Sequence, residues 1–266
     1  MSGDWDAFHR RWARLAAPLR PTGDVVDAIE AVLSERDACR RAQDRVLLLG
    51  VTPELARVAP NLLAIDWSAS MIARVWPGDA PTRHAIRADW RHLPLGPSTC
   101  TGVIGDGSIN CLRYAADYRA LLGGVATAMR SGGVLAMRVY VRPDRGESIS
   151  EVAAAAQCGA SFHAIKWRIA MALAAASGAP NVEVARVHAA FERVFPDRRA
   201  LAAKTGWTDE TIAEIDAYSD ADLVYSFPTA AELIATLPRA FEDVRLIGSG
   251  RYPLAERCPI FVARRT

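Results

Sequence analysis

The apolar positions of the chain change their period twice. Trp5, Phe8, Trp12, Leu15 and Leu19 recur at spacings of three and four, which is the stripe of an amphipathic helix. Pro18 and Pro21 stop it. A second helix is predicted with Thr22 as N-cap, Asp24 in the first turn and Val25, Ile29, Val32 and Leu33 facing inward. From Arg45 short apolar runs alternate with helical patterns. Val46–Leu49, Leu62–Ile65, Ala85–Ile86, Val103–Ile104 and Val134–Val141 read as strands, and Pro53–Ala59, Ala69–Trp76 and Ala115–Arg130 as the helices between them. Fully apolar strands separated by helices predict a parallel sheet covered on both faces.

The alternation stops at Arg142-Pro143. Residues 147–218 read as helices over 148–157, 161–176, 181–194 and 209–218, broken at Gly159, Gly178-Ala179-Pro180, Pro196 and Gly206. A short helix over Ala230–Leu237 and strands at Val244–Ile247 and Ile260–Val262 then return to the sheet. The expected architecture is α/β: a doubly wound, Rossmann-like sheet of seven mostly parallel strands. It divides into N-terminal helices over 1–43, a core over 44–142 and 229–266, and a helical insertion over 143–228. Such an insertion sits beside the carboxyl ends of the strands or on the far side of the sheet; on the far side it would serve as a dimerisation surface.

Composition narrows the function. The 266 residues are 51% hydrophobic and 23% charged, with a net charge of +2. No bulk field draws such a protein to nucleic acid or to an anionic membrane. Five scattered cysteines with no Cys-x-x-Cys pair argue against a disulfide scaffold or a cysteine-rich zinc site and suit a reducing cytosol. The histidines form no metal spacing, and no metal is expected. The most apolar helical stretch, Ile165–Ala176, carries Lys166 and Arg168 and is too short to span a bilayer. A cytoplasmic protein is expected, with a small-molecule substrate and at most a second copy of itself as partner.

In an open parallel sheet, ligands bind outside the carboxyl ends of the strands. The first strand ends Leu49-Gly50-Val51-Thr52-Pro53-Glu54, with Thr52 placed to cap a helix and Glu54 in its first turn. One glycine and no lysine make neither a dinucleotide fingerprint nor a phosphate loop, and an acid in the first turn repels a pyrophosphate. The second strand ends at Asp66, where a carboxylate can accept both ribose hydroxyls of a nucleoside. The third ends Arg87-Ala88-Asp89-Trp90, offering an acid for an amino-bearing base and an aromatic face to stack on it. The fourth ends Gly105-Asp106-Gly107-Ser108, where glycine lets the backbone approach a ligand. One such acid is explained as a helix cap. Three at consecutive strand ends, without a phosphate cradle, describe a nucleoside site.

This arrangement resembles the Rossmann-like (class I) S-adenosylmethionine-dependent methyltransferases. The segments RVLLLGVTPELA (45–56), AIDWSASMI (64–72), IRADWRHLPL (86–95) and VIGDGSINCL (103–112) stand where that superfamily has its first four motifs. The first motif departs from the pattern, with Leu48 where an acid is usual and Gly50, Thr52 and Glu54 where three glycines are usual. The resemblance implies S-adenosylmethionine as cofactor and S-adenosylhomocysteine as product. It implies a cofactor site of Gly50, Thr52, Glu54, Asp66, Trp67, Met71, Asp89, Trp90, Asp106, Gly107 and Ser108. Asp66 would contact ribose, Asp89 the adenine amino group, and Met71 and Trp90 would flank the base. Glu54 would take over a polar contact to the cofactor.

Methyl transfer asks the protein for alignment, exclusion of water and sometimes proton removal, so its catalytic residues are weakly specified. Asn110 and Tyr225 are the catalytic candidates, the first to orient an acceptor and the second to offer a hydroxyl or a cation–π face. Tyr140, His163 and Trp167 are the substrate-binding candidates, the last two sharing a helix face at i and i+4. Two alternatives stay open. One is a cyclase or lyase that releases methylthioadenosine from the same cofactor, for example by closing an azetidine-2-carboxylate ring. The other is a partner protein that binds the cofactor without turnover.

Overall fold

Leu47 and Leu49 of the first strand pack on one side of a sheet, and Val46 and Leu48 on the other. This follows from the two-residue period of extended chain and requires a layer on each face. The computed structural model describes residues 9–35 and 43–266. Its strands are β1 (Arg45–Leu49), β2 (Asn61–Asp66), β3 (Arg83–Arg87), β4 (Cys100–Asp106), β5 (Met129–Arg138), β6 (Asn181–Glu183), β7 (Val224–Ser226), β8 (Phe241–Ile247) and β9 (Ile260–Arg265). Seven of them form the main sheet in the order β3-β2-β1-β4-β5-β9-β8, parallel except for β9, which runs antiparallel to both neighbours. The strand order reverses between β1 and β4, which opens a crevice at their carboxyl ends.

Helix α1 (Gly23–Ser34) lays Val25, Ile29, Val32 and Leu33 on the Val46/Leu48 face, joined by Met71 of α2 (Ala69–Arg74). Helix α3 (Ala116–Ala128) covers the opposite face with Tyr118, Leu121, Leu122 and Val125. Each such large apolar side chain contributes roughly 1.5–3 kcal/mol by leaving water. A third core lies wholly outside the sheet. It is built by α4 (Ile149–Ala156), α5 (Phe162–Ser177), α6 (Val184–Val194), α7 (Arg198–Thr205) and α8 (Asp209–Ala213). Of these, α5 is buried nearly all round, capped at one end by Ser161 and closed at the other by left-handed Gly178. Helix α9 (Ala230–Ile234), with a Thr229–Glu232 capping box, leads back to the sheet.

Several local expectations are corrected. His9–Arg14 is a 3-10 helix rather than part of an α-helix, and Trp5 and Phe8 lie outside the described residues. Thr22 and Thr52 occupy N-cap positions without a side-chain capping bond. Residues 181–183 pair with 224–226 as a small antiparallel ribbon, not as the start of a helix. Three residues are too few to show a period. Helix α7 buries only Leu201, so no apolar stripe announced it. Among the described residues, no helix is long and apolar enough to cross a membrane.

Candidate active site

The chain leaves β1 through Gly50, whose φ of +99° is costly for any side-chain-bearing residue. The Gly50 amide donates to the Ile65 carbonyl at 2.8 Å, which ties the end of β1 to the end of β2. The same carbonyl accepts the Trp90 indole N–H at 2.6 Å. A Cβ built on Gly50 would point among Ser108 Oγ, Asp66 Oδ2 and Trp90, each 3.8–4.0 Å away. Glycine thus leaves open a cradle bounded by a carboxylate, a hydroxyl and an indole.

Asp66 is buried at the floor of this cradle. One oxygen accepts the Ser68 amide at 2.8 Å, and no arginine, lysine or histidine among the described residues pairs with it. Burial outweighs the backbone hydrogen bonds and pushes its carboxyl up to about 6. The hydrogen bonds it accepts come from the backbone of Ser68 and Trp67.

Asp106 is different. It pairs with Arg138, and neither side chain has more than 2% of its area exposed. Arg138 also donates to Tyr252 Oη at 3.2 Å and to Tyr140 Oη at 3.4 Å. Beside it Gly107, at φ +65°, lies under the Tyr140 ring, 2.6 Å from where a Cβ would stand. Ser108 Oγ donates to the Leu49 carbonyl and stitches β4 to β1. Glu54 accepts from Arg20 through Oε1, while its other carboxylate oxygen is buried without a hydrogen-bond partner among the described residues.

These strand ends open into one cavity of about 880 Å³ of empty space, its mouth included. Gly50, Thr52, Asp66, Met71, Trp90, Asp106, Gly107 and Ser108 form its floor. The roof comes from the insertion through Lys166, Trp167, Glu214, Tyr218 and Tyr225, so the insertion stands on the carboxyl-end side of the sheet. The third side is the N-terminal segment, through Arg11, Trp12, Leu15 and Leu19. That segment is strapped down at both ends: Arg14 pairs with Glu214 at 2.6 Å and Arg20 pairs with Glu54. Between them Tyr140 Oη donates to the Pro18 carbonyl at 2.9 Å.

Most of the expected site residues therefore meet in one place, and five do not take the places foreseen. Glu54, held by Arg20 through Oε1, is outside the cavity wall. Asp89 is outside the cavity wall, with its carboxylate gripped by Arg91 in a two-pronged pair that holds it below the usual range. Trp67 is also outside, and its carbonyl accepts Arg87. His163 packs edge-on against Phe162 away from the wall, and burial pushes its imidazole down to about 4. Asn110 lines the cavity, but its amide donates to the Tyr140 and Ser226 carbonyls and accepts the Tyr140 amide. With both N–H bonds committed to backbone, it joins β5 to β7 instead of orienting a ligand. Trp167 and Tyr225 do stand in the wall, with ring centroids 5.1 Å apart.

Sequence reasoning missed Lys166, Tyr218, Glu214 and Arg11. Lys166 is 3% exposed, and burial with the nearby Arg11 brings its amine down to about 7 against the pull of Glu214. One signal was available: Lys166 interrupts the most apolar helix of the chain.

No family model matches the sequence, and no curated protein matches it either. Solved structures do. The N-methyltransferase NodS from Bradyrhizobium japonicum, in complex with S-adenosylhomocysteine, is 12% identical, with 99% of each chain covered and a TM-score of 0.53. DesVI from Streptomyces venezuelae is 11% identical, with 91% of each chain covered and a TM-score of 0.51. A Rhodobacter sphaeroides structure named "Putative Zn-dependent Alcohol Dehydrogenases" is 11% identical, covers 100% of this chain and 99% of its own, and has a TM-score of 0.61. At such identities the likeness is one of fold. Among the described residues, one group could gather three metal ligands, His188, Glu192 and Asp216. The Arg198 guanidinium already bonds both of its carboxylates, and the group is not in the wall of the cavity. With the sheet order, the cradle at Gly50 and these likenesses together, the chain has the fold of the Rossmann-like (class I) S-adenosylmethionine-dependent methyltransferases.

Proposed function

We propose that this protein is an S-adenosylmethionine-dependent methyltransferase acting on a small-molecule metabolite. The observation that carries the reading is Asp66, a buried carboxylate without a cationic partner among the described residues, set in a cradle with Trp90 and no phosphate-binding loop. The residues present fit the cofactor. Asp66 would accept the ribose hydroxyls, and Trp90 and Met71 would hold the adenine. Thr52 and Ser108 complete the polar floor. Asp89, bound to Arg91, is left out of this assignment.

When bound, the cofactor supplies a methyl group on a positively charged sulfur. The chain's own contribution is placement and exclusion of water. Gly107 keeps the backbone low beneath Tyr140, and the Asp106–Arg138 pair fixes that corner without spending a net charge. The roof of Trp167, Tyr218 and Tyr225 gives an acceptor a mostly aromatic seat whose ring faces favour positive charge. The N-terminal segment closes the remaining side.

Calorimetry with S-adenosylhomocysteine, S-adenosylmethionine, NAD and ATP tests the reading. Binding confined to the two adenosyl compounds is expected, and tight NAD binding without response to either would overturn it. Incubation with S-adenosylmethionine and a panel of small amines, phenols and carboxylates then identifies the product. S-adenosylhomocysteine marks methyl transfer, whereas methylthioadenosine marks cyclisation or elimination of the cofactor.

A further inference from the structure

The chain carries its positive charge almost entirely as arginine. Lys166 and Lys204 are its only lysines among 32 basic residues. Lys204 sits near the end of α7, half of whose length is solvent-facing. Lys166 sits in the roof of the cavity, one residue before Trp167, where arginine would supply charge equally well. What arginine cannot supply is a neutral nitrogen, because guanidinium does not deprotonate in proteins.

The surroundings of the amine are specific. Nζ lies 4.7 Å from the centre of the Tyr218 ring and 5.6 Å from that of Phe162. Glu214, the acid whose charge acts on the amine, is held by Arg14, and Lys166 forms no ion pair among the described residues. Arg11 faces it from the N-terminal segment and disfavours a second positive charge. His163, one turn back on its own helix, is held down to about 4 by burial and stays neutral. Glu214 of the roof is engaged by Arg14, and the roof tyrosines and the neighbouring Cys111 are unsuited to accept a proton. Burial raises the Tyr218 and Tyr225 hydroxyls and the Cys111 thiol, so all three stay protonated at neutral pH.

We propose that Lys166 is the general base of the transfer, its ε-amine accepting the proton of the acceptor's nucleophilic atom. The proposal rests on the methyltransferase reading and names a catalytic residue for it. The bond from the nucleophilic atom to the methyl carbon forms as the methyl–sulfur bond breaks. The electron pair of that bond stays on sulfur as a thioether, and the proton passes from the nucleophilic atom to Nζ. The resulting ammonium then returns the proton to solvent. The acceptor class is one that needs a proton removed: an amine or a phenol rather than a carboxylate or a thioether. Burial holds the free amine near neutrality, which is where a general base works best.

The presence of only two lysines makes the test direct. Protein labelled with carbon-13 at the lysine ε-carbon gives two lysine signals, assigned with Lys204→Arg. Lys166 is expected to titrate near neutral pH, and S-adenosylmethionine should lower its midpoint further than S-adenosylhomocysteine does, because only the former carries a charge on sulfur. A midpoint above about pH 9.5, in the ordinary lysine range, overturns the proposal, as does an identical midpoint with the two ligands. Lys166→Met and Lys166→Arg should both lower kcat by about 10²–10⁴-fold on the acceptor found by the panel while S-adenosylhomocysteine affinity stays within about twofold. Retained activity in Lys166→Arg would assign the residue to charge alone. The Met variant should unfold at higher urea than wild type, which separates lost catalysis from lost fold. Absence of S-adenosylhomocysteine binding in the wild type removes the methyltransferase reading and this base with it. Normal binding with an ordinary Lys166 removes only the base.

Discussion

Arg138 reaches from the end of β5 to Asp106 at the end of β4, and the pair is sealed from solvent by Tyr140 and Tyr252. The Arg138 guanidinium carbon lies 5.6 Å from the centre of each ring. Two charges taken out of water are worth little as a pair, but removing one strands the other. Arg138→Met should therefore destabilise the protein by about 3–5 kcal/mol in urea unfolding. The double replacement Asp106→Leu with Arg138→Met should cost far less. Equal losses in the single and double variants would mean that packing, not the stranded carboxylate, sets the cost.

Gly107 is placed by the same corner. Its left-handed backbone and the Tyr140 ring 2.6 Å from a built Cβ give alanine two separate penalties. Gly107→Ala is expected to lose about 2–4 kcal/mol of stability. A loss below 1 kcal/mol would show that the Tyr140 ring swings aside freely.

The centre of the sheet was legible in the sequence because strands such as β1 and β4 are buried on both faces and so read as uninterrupted apolar runs. Val46–Leu49 and Val103–Ile104 fell inside observed strands for that reason. The floor of the site was legible because each strand end carries an acid or a glycine. The failures have physical causes. Asp89 looked like an adenine ligand, yet Arg91 two residues on competes for it within its own 3-10 turn. Asn110 looked free, yet carbonyls 30 and 116 residues away use its amide. Lys166 and Glu214 became site residues only through the packing of the insertion, and no local period reports which side chains two distant helices bring together.

Asp66 ties the ligand to pH. Its folded carboxyl is raised to about 6 from an ordinary value of 3.8, so the folded state holds the proton more tightly than the unfolded chain. The stability it contributes is full below about pH 4 and is lost as pH rises through 6. Asp66→Asn should accordingly stabilise the free protein at pH 7.5 by about 1–3 kcal/mol. It should weaken S-adenosylhomocysteine binding by about 1.5–3 kcal/mol, the range for hydrogen bonds to a charged group. In the wild type, affinity should fall as pH drops from 7 to 5, because the ligand must displace a proton. Calorimetry and urea unfolding of both proteins decide this, and a variant that binds normally would move the ribose elsewhere.

The strap formed by the N-terminal segment has an electrostatic latch. Arg14 is 60% exposed while its partner Glu214 is 8% exposed, so salt can reach one side of the pair. An ion pair of this kind is worth about 0.5–1 kcal/mol. Arg14→Gln should speed S-adenosylhomocysteine dissociation about two- to fivefold in stopped-flow measurements, and added salt should speed the wild type toward the variant. A salt-independent off-rate would mean that the segment does not open to release ligand.

Trp167 separates the roof from the floor. Its ring touches Tyr140, Tyr225 and Phe227 at centroid distances of 5.1–5.5 Å, and its indole N–H is buried without a hydrogen-bond partner among the described residues. An orphaned donor costs about 1–3 kcal/mol, a cost that a ligand acceptor reaching the roof would relieve. Trp167→Phe removes the donor and keeps most of the aromatic wall. The variant should hold or gain stability, bind S-adenosylhomocysteine within about twofold of wild type, and raise KM for the acceptor about tenfold, the worth of one neutral hydrogen bond. In the proposed reading the adenosine half of the site would rest on Asp66, Gly50 and Trp90, and Trp167 makes its ring contacts with Tyr140, Tyr225 and Phe227 instead. Loss of S-adenosylhomocysteine affinity equal to the loss for the acceptor would therefore show that roof and floor are one site, and that the insertion does more than choose the substrate.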